Sequence, residues 1–324
     1  MASIRDVAKH ASVSVATVSR VLNDKGYVSA ETRKKVEAAI AELNYRPNEV
    51  ARSLFKKQSK TIGLILPDIM NPFFPELARA IEDTASKLGY TVILCNSDED
   101  EEKAQRYVDV LLQKYVDGII ISSNTIQEKT IRELTIPVVC IDREISKDIP
   151  TIVVDNKNGA RMATRFLREK GRRKIAHIRG PLDIVNANER CEGYREVVAD
   201  EQWFRESYIV NGNYRMETAT EAVLELLRQH SEIDGIFAAN DTMAIGAMKA
   251  AYQHGLKVPE EISIIGFDGI ALGKASIPEL TTIEQPLYEL GQKAAKVLIK
   301  LIKGQNIEKT FYQFDVQLVE RDST

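Results

Sequence analysis

No run of about 18 apolar residues occurs in the 324-residue chain, which excludes a membrane-spanning helix. The first residues, Met1 to Val7, carry Arg5 and Asp6 and lead into no apolar core, so no secretory signal is expected. Cysteine is scarce. Cys95, Cys140 and Cys191 lie far apart and form no CxxC pair, so buried free thiols and a reducing cytoplasm are expected. A Gly-rich phosphate loop and a GxSxG elbow are both missing, and with them the commonest signatures of phosphoryl and acyl transfer. His10, His177, His230 and His254 have neither metal-ligand spacing nor a nucleophile partner, so surface or helix positions are expected for them. No catalytic residue, metal or cofactor is assigned. No internal repeat of about 20–50 residues is present either, which excludes a solenoid.

What is present is uneven in charge. The net charge is −3, yet residues 1–60 hold 12 Lys or Arg against 6 Asp or Glu. A basic head on an acidic body implies that only the head meets a polyanion.

The head reads as short helices with polar breaks. Ser3 caps a first helix carrying Ile4, Val7, Ala8 and Ala11, with Asp6 completing a capping box. Ser14 caps a second, Val15 to Leu22, and Asn23-Asp24-Lys25-Gly26 marks a loop. Ser29 caps a third, whose Val36, Ala39, Ile40 and Leu43 fall on one face. Asn44-Tyr45-Arg46-Pro47 stops it. Two short helices joined by a tight turn fit a helix-turn-helix, with the second helix in the major groove. Arg20 projects from that helix; guanine readout and a plain solvent-facing arginine both fit the pattern. Asn48 begins one more short turn, Glu49 to Leu54, followed by a lysine-rich linker.

From Thr61 the pattern changes. Apolar runs Ile62–Leu66, Val92–Cys95, Gly118–Ser122, Val138–Ile141, Ile152–Val154, Lys174–Ile178, Gly235–Ala239 and Ile262–Phe267 alternate with amphipathic stretches. These stretches are Leu77–Leu88, Lys103–Lys114, Gly159–Lys170, Ala219–Gln229 and Met243–His254. The alternation predicts parallel sheets with crossover helices, covered on both faces. One α/β barrel or two doubly wound lobes fit the length. Nearly every run ends in polar residues, as in Pro67-Asp68, Asp142-Arg143, Asn240-Asp241 and Asp268-Gly269. Ligands of open α/β sheets bind at that end, so a polar site built from many strands is expected.

Residues 3–54 resemble the lactose-repressor (LacI/GalR) family. The match is carried by Ile-Arg-Asp-Val-Ala, Val-Ser-Val-Ala-Thr-Val-Ser-Arg-Val-Leu-Asn, Val-Ser-Ala-Glu-Thr-Arg-Lys-Lys-Val and Glu-Leu-Asn-Tyr-Arg-Pro-Asn-Glu-Val-Ala-Arg-Ser-Leu. The resemblance implies that Val15, Ala16 and Arg20 read bases of a double-stranded operator. Thr17, Ser19, Asn23, Thr32 and Tyr45 fall on phosphate contacts. Leu54 falls on a hinge-helix leucine that wedges into the minor groove, a device that kinks the duplex. A palindromic operator implies a homodimer; the tail, Glu320 to Thr324, carries no leucine-heptad extension.

Residues 61–321 resemble the sensor domain of that family and the related secreted sugar-binding proteins, most closely their ribose-binding members. The implied fold is a small all-α head on a two-lobed, periplasmic-binding-protein-like α/β sensor with doubly wound parallel sheets. The implied domains are 1–46 for the head, 47–60 for hinge and linker, and 61–324 for the body. The implied effector contacts are Asn71, Phe73 and Phe74 after the first strand, with Asp142 and Arg143 after the fourth. Arg190, Asn240, Asp268 and Gln285 follow in the later part of the body, and Tyr214 stands where relatives have a Phe. The resemblance thus implies a cytoplasmic repressor released from its operator by a sugar, D-ribose. Another sugar, a phosphosugar, a purine or a phosphorylated carrier protein is the alternative effector.

Overall fold

The computed structural model describes residues 2–45, 58–143 and 145–324. The chain forms two compact units, Met1–Ser59 and Lys60–Thr324. The hinge segment with Leu54 lies outside the described residues.

Among the described residues the head has three helices, α1 (Ile4–His10), α2 (Val15–Asn23) and α3 (Ala30–Glu42). Serines start all three. The Ser3 hydroxyl accepts from Asp6 N while the Asp6 carboxylate accepts from Ser3 N at 2.8 Å; Ser14 and Ser29 cap Thr17 N and Thr32 N. Each cap contributes about 1 kcal/mol, which matters in a unit whose core is only Val7, Ala8, Ala11, Val18, Val21, Val36 and Ala39. Asp24 ends α2 in the left-handed region, φ 49°.

The body resolves the open choice between barrel and lobes in favour of two open sheets. In chain order the strands are β1 (Thr61–Leu66), β2 (Thr91–Asn96), β3 (Gly118–Ile121), β4 (Val138–Ile141) and β5 (Thr151–Val154), then β6 (Ile175–Arg179), β7 (Ile209–Asn211), β8 (Gly235–Ala238), β9 (Ser263–Asp268) and β10 (Thr281–Glu284). Two more, β11 (Phe311–Phe314) and β12 (Gln317–Val319), close the series. The sheet orders are β11-β5-β4-β3-β1-β2 and β12-β10-β9-β8-β6-β7. All pairings are parallel except β10 with β12. Each sheet therefore reverses its winding once, between β1 and β3 in the first lobe and between β6 and β8 in the second. Those reversals are where doubly wound sheets leave a crevice.

Helices α4 (Phe73–Lys87), α5 (Glu101–Gln113) and α6 (Glu128–Glu133) belong to the first lobe. The second has α7 (Asn156–Glu169), α8 (Val185–Val198), α9 (Met216–Gln229), α10 (Asp241–His254) and α11 (Ala271–Lys274). The chain then returns to the first lobe through α12 (Leu287–Ile302), which packs on α4 and on β3 to β5. It crosses between lobes three times, at β5–α7, at β10–α12 and at β11–β12.

Two expectations need correction. All eight anticipated runs are strands, but β7, β10, β11 and β12 were not anticipated. They are three or four residues long, and β7, β11 and β12 are edge strands, which need no continuous apolar run. His177 is neither on the surface nor on a helix. It lies fully buried in β6, between the rings of Tyr194 at 5.0 Å and Phe237 at 4.8 Å. Burial pushes its pKa down to about 3, so it serves as a neutral aromatic in the core.

Helices α7 and α8 cross closely at Gly193, where a Cβ would lie 2.2 Å from the Lys157 carbonyl oxygen and 2.9 Å from the Ala160 Cβ. Gly193→Ala is expected to lower stability by about 1–3 kcal/mol, read as a reduced urea midpoint. An unchanged midpoint would mean that the helices slide apart without cost.

Candidate functional site

In the head, α2 exposes one side. Val15 is 41% exposed; Ala16 and Arg20 are also exposed, and Thr17, Ser19 and Asn23 are half-buried. Val18 and Val21 hold the opposite side in the core. The polar candidates are pre-set by local hydrogen bonds. Thr17 Oγ1 lies 2.9 Å from the Ser14 hydroxyl, Thr32 Oγ1 lies 2.8 Å from that of Ser29, and Asn23 Nδ2 donates to the Ser19 carbonyl at 2.8 Å. These serine-started helix ends present backbone N–H groups suited to phosphate. Tyr45 packs on the head core at its edge. Tyr27, 91% exposed in the loop after α2, was not anticipated, because its surroundings read as a plain turn.

In the body, a cavity of about 250 Å³ opens at the carboxyl ends of both sheets. Ligand pockets commonly span about 300–1,000 Å³, so this one suits a small molecule. From the first lobe come Asp68, Asn71, Phe73 and Phe74 after β1, Asp98 and Glu99 after β2, Ser122 and Asn124 after β3, and Asp142 after β4. From the second come Asn186 and Arg190 on α8, Tyr214 and Arg215 after β7, Asn240 after β8, and Asp268 at the end of β9. Of the ten anticipated effector residues, the cleft brings together Asn71, Phe73, Phe74, Asp142, Arg190, Tyr214, Asn240 and Asp268.

The other two stand apart. Arg143 does not line the cleft that Asp142 lines. It donates to the Ser123 carbonyl at 3.3 Å and lines a smaller cavity that it shares with Asp142, Asp155, Lys157 and Glu189. The strand ends at Ile141 and Asp142 stands at φ 65°, so the chain turns between the two and a sequence pair need not share a site. Gln285 sits behind Asp268, donating from Nε2 to Oδ1 at 2.7 Å. Its buried Oε1 has no partner among the described residues.

At the centre is Arg190, 3% exposed. Its Nε donates to Asn156 Oδ1 at 2.9 Å, and its Nη1 to the Ala239 carbonyl at 2.6 Å and Asp268 Oδ1 at 3.2 Å. Its guanidinium lies 3.8 Å from the Phe267 ring centroid. Burial opposes its charge, but Asp268, Tyr214 and Asp142 outweigh that and hold its pKa above the ordinary value. Asn240 caps α10 through Oδ1, 2.8 Å from Met243 N, so a ligand meets its amide nitrogen. Asp241 holds the loop after β9, accepting from Gly269 N at 2.8 Å and Ile270 N at 2.9 Å. Asp268 itself has φ 114°, a strained backbone of the kind stored at binding sites. Tyr214, at φ 57°, fits because position 180 is glycine: a Cβ there would lie 2.5 Å from its ring.

Sequence reading did not single out Asp68, Asp98, Glu99, Asn124, Asn186 and Arg215 as effector contacts, although Asp68, Asp98 and Asn124 stand among the polar strand ends. Most of these end strands, and the polar strand ends were a usable signal. Asn186 had none, because it begins a helix whose buried residues mix Asn186 and Arg190 with Ala187, Cys191, Tyr194 and Val198.

A head with an exposed recognition helix and a body with a polar cleft at its switch points define a regulator that binds DNA and senses a small ligand. Residues 3–48 match the model of bacterial regulatory proteins of the lacI family, and residues 59–319 that of periplasmic binding proteins and the sugar-binding domain of the LacI family. The chain belongs to the LacI family and is a DNA-binding transcriptional repressor, not an enzyme. It is 50% identical over 324 residues to the ribose operon repressor of Halalkalibacterium halodurans, covering 100% of this chain and 97% of that protein. The lac repressor dimer bound to operator and the anti-inducer ONPF matches with a TM-score of 0.89 at 32% identity, over 99% of this chain and 98% of that one. A LacI family regulator from Enterococcus faecium with bound ribose matches with a TM-score of 0.73 at 30% identity, over 82% of this chain and 98% of that one. Among the described residues no helix is long and apolar enough to cross a membrane, and no His, Cys, Asp or Glu cluster fits a metal ion.

Burial is the main cause that pushes the Asp142 carboxyl up to about 7; Arg190 opposes it, while Asp268 and Glu189 add to it. Between its ordinary 3.8 and about 7, the folded chain keeps a proton on Asp142 that the unfolded chain has released. This group therefore lowers stability as pH rises through that window and adds no pH dependence above it. Asp142→Asn is expected to make the fall in urea-unfolding free energy across that window shallower. An unchanged slope would mean that the carboxyl ionises in its ordinary range.

Proposed function

We propose that the chain is a ribose-responsive repressor of ribose-utilisation genes, acting in the cytoplasm as a homodimer and released from its operator by D-ribose. The observation that carries this reading is the composition of the cleft. Asp68, Asp98, Glu99, Asp142 and Asp268 face only Arg190 and Arg215 among the lining cations. Such a site favours a neutral polyol over a phosphosugar, because excess carboxylate repels phosphate. Full-length identity to a ribose operon repressor and likeness to a regulator with bound ribose support the same choice.

In this reading Phe73 and Phe74, whose rings meet edge to face at 5.0 Å, cover the sugar ring. Arg190, Asp142 and Asp268 bind hydroxyls by charge-assisted hydrogen bonds, with Asn71, Asn240 and Tyr214 as neutral partners. Gln285 acts through Asp268. Arg143 would reach the sugar only after rearrangement of its loop. In the head, Val15 and Ala16 meet thymine methyls and Arg20 reads guanine, while Thr17, Ser19, Asn23, Thr32 and Tyr45 hold phosphates. Residues 1–46 form the DNA-reading domain, 47–60 the hinge with its Leu54 wedge, and 61–324 the sensor. Sugar and operator each favour a different lobe arrangement and so weaken one another reciprocally.

Calorimetric titration with D-ribose, glucose, ribose 5-phosphate and hypoxanthine tests the effector. Saturable heat with ribose alone supports the reading; heat only with another ligand discards ribose. Arg190→Ala is expected to abolish the ribose heat while operator binding persists. Arg20→Ala is expected to cost about 1–3 kcal/mol on operator DNA and little on random DNA, as in loss of a guanine contact. Equal loss on both DNAs would assign Arg20 to phosphate.

A further inference from the structure

Asn186 is buried in the first turn of α8 and spends its side chain away from its own helix. Its Nδ2 donates to Asp142 Oδ2 of the first lobe, and its Oδ1 accepts from the Tyr214 hydroxyl of the second lobe at 2.9 Å. The direction of this chain is set by chemistry. Above about pH 7, where Asp142 is ionised, its carboxylate only accepts, so the amide turns its NH₂ to Asp142; its oxygen then faces Tyr214, whose single proton goes there. Gly180 leaves room for the Tyr214 ring and Asp142 stands at φ 65°, so backbone geometry seats both ends. All three residues line the cleft.

We propose that Asn186 is a specificity-determining residue: with Asp142 on one side and its own N–H on the other, it admits a hydroxyl at this point of the cleft and excludes phosphate and carboxylate. The inference rests on the sugar-sensor reading and deepens it. A group at this point of the cleft meets the second oxygen of Asp142 and the second N–H of Asn186, an acceptor and a donor side by side. A hydroxyl donates to the carboxylate and accepts from the amide, leaving nothing unpaired. A phosphate or carboxylate oxygen satisfies the amide alone and sets a second negative charge against Asp142 in a buried site, which is strongly unfavourable. An ammonium satisfies Asp142 but opposes the amide N–H. Only a neutral group that donates and accepts completes the chain, and sites built to pair a hydroxyl discriminate strongly against ligands that leave a buried group unpaired. Tyr214 is a positioning residue: its proton keeps Asn186 turned the right way.

The test is calorimetric titration of the full chain and its variants with D-ribose and with ribose 5-phosphate. The wild type is expected to bind ribose at least about 100-fold more tightly than the phosphate ester, equivalent to two powers of ten in Kd. Asn186→Ala is expected to weaken ribose about 10-fold and to narrow the preference between the two ligands, because Asp142, without the amide's hydrogen bond, keeps its proton more readily and repels phosphate less. Asp142→Asn is expected to narrow it by strengthening the phosphate ester. Tyr214→Phe, which keeps the ring against Gly180, is expected to give the Asn186→Ala pattern in milder form. Thermal unfolding of each variant confirms the fold. Equal weakening of both ligands by Asn186→Ala and Tyr214→Phe, with the preference intact, would reduce Asn186 to a structural tie and overturn the proposal while the ribose reading stands. Wild-type silence toward ribose would overturn the ribose reading itself, and this role with it.

Discussion

The body depends on one buried ion pair, Arg190 with Asp268. Two charges at 3% and 6% side-chain exposure are tolerated only because each is further satisfied. Arg190 adds the Asn156 side chain, the Ala239 carbonyl and the Phe267 ring. Asp268, which burial pushes up to about 6 against the pull of Arg190, adds the Gln285 amide. The partners are placed with consequence. Asn156 stands where the chain first enters the second lobe, and Gln285 where it leaves. The pair thus joins the ligand cleft to two of the three crossovers, and a ligand that engages Arg190 or Asp268 acts on the segments about which the lobes move.

Around that pair the cleft is built as a set of half-satisfied polar groups. Asn240 has its oxygen used by a helix cap, Asn186 links Asp142 to Tyr214, and Gln285 keeps one buried oxygen without a partner among the described residues. A polyol can complete many of these at once, because each hydroxyl both donates and accepts. The aromatic residues contribute shape; the carboxylates contribute selection against anions. Affinity and discrimination therefore come from the same residues. Such a ligand biases the regulator to the extent that it prefers one lobe arrangement over the other.

The head was readable almost residue by residue, because its information is local. Three serines begin three helices, the apolar residues fall on one face of each, and the turn chemistry lies between them. Seven of the eight strands that were read are interior, all but β2, and these were readable for a related reason: strands covered on both faces need continuous apolar runs. The edge strands β7, β11 and β12 escaped, since an edge can be short and mixed, and so did the four-residue interior β10. Helix α8 escaped because its buried residues are mixed: Asn186 and Arg190 line the cleft, while Tyr194 and Val198 enter the apolar core. His177 was misplaced because a lone histidine in sequence gives no sign of whether aromatic rings will enclose it.

By itself the sequence determined the class of the molecule: a basic helical head, a doubly wound acidic body, and ligand chemistry at the strand ends. Periodicity, capping and charge segregation are written within a few residues of one another. Only the tertiary structure decided which polar strand ends meet. It turned Asp142 into the cleft and its neighbour Arg143 out of it, set Gln285 behind Asp268, and brought Asn186 of one lobe against Asp142 of the other, 44 residues away. Those outcomes depend on how two sheets pack through three crossovers, and on which groups must be paired once buried; no local pattern carries that information.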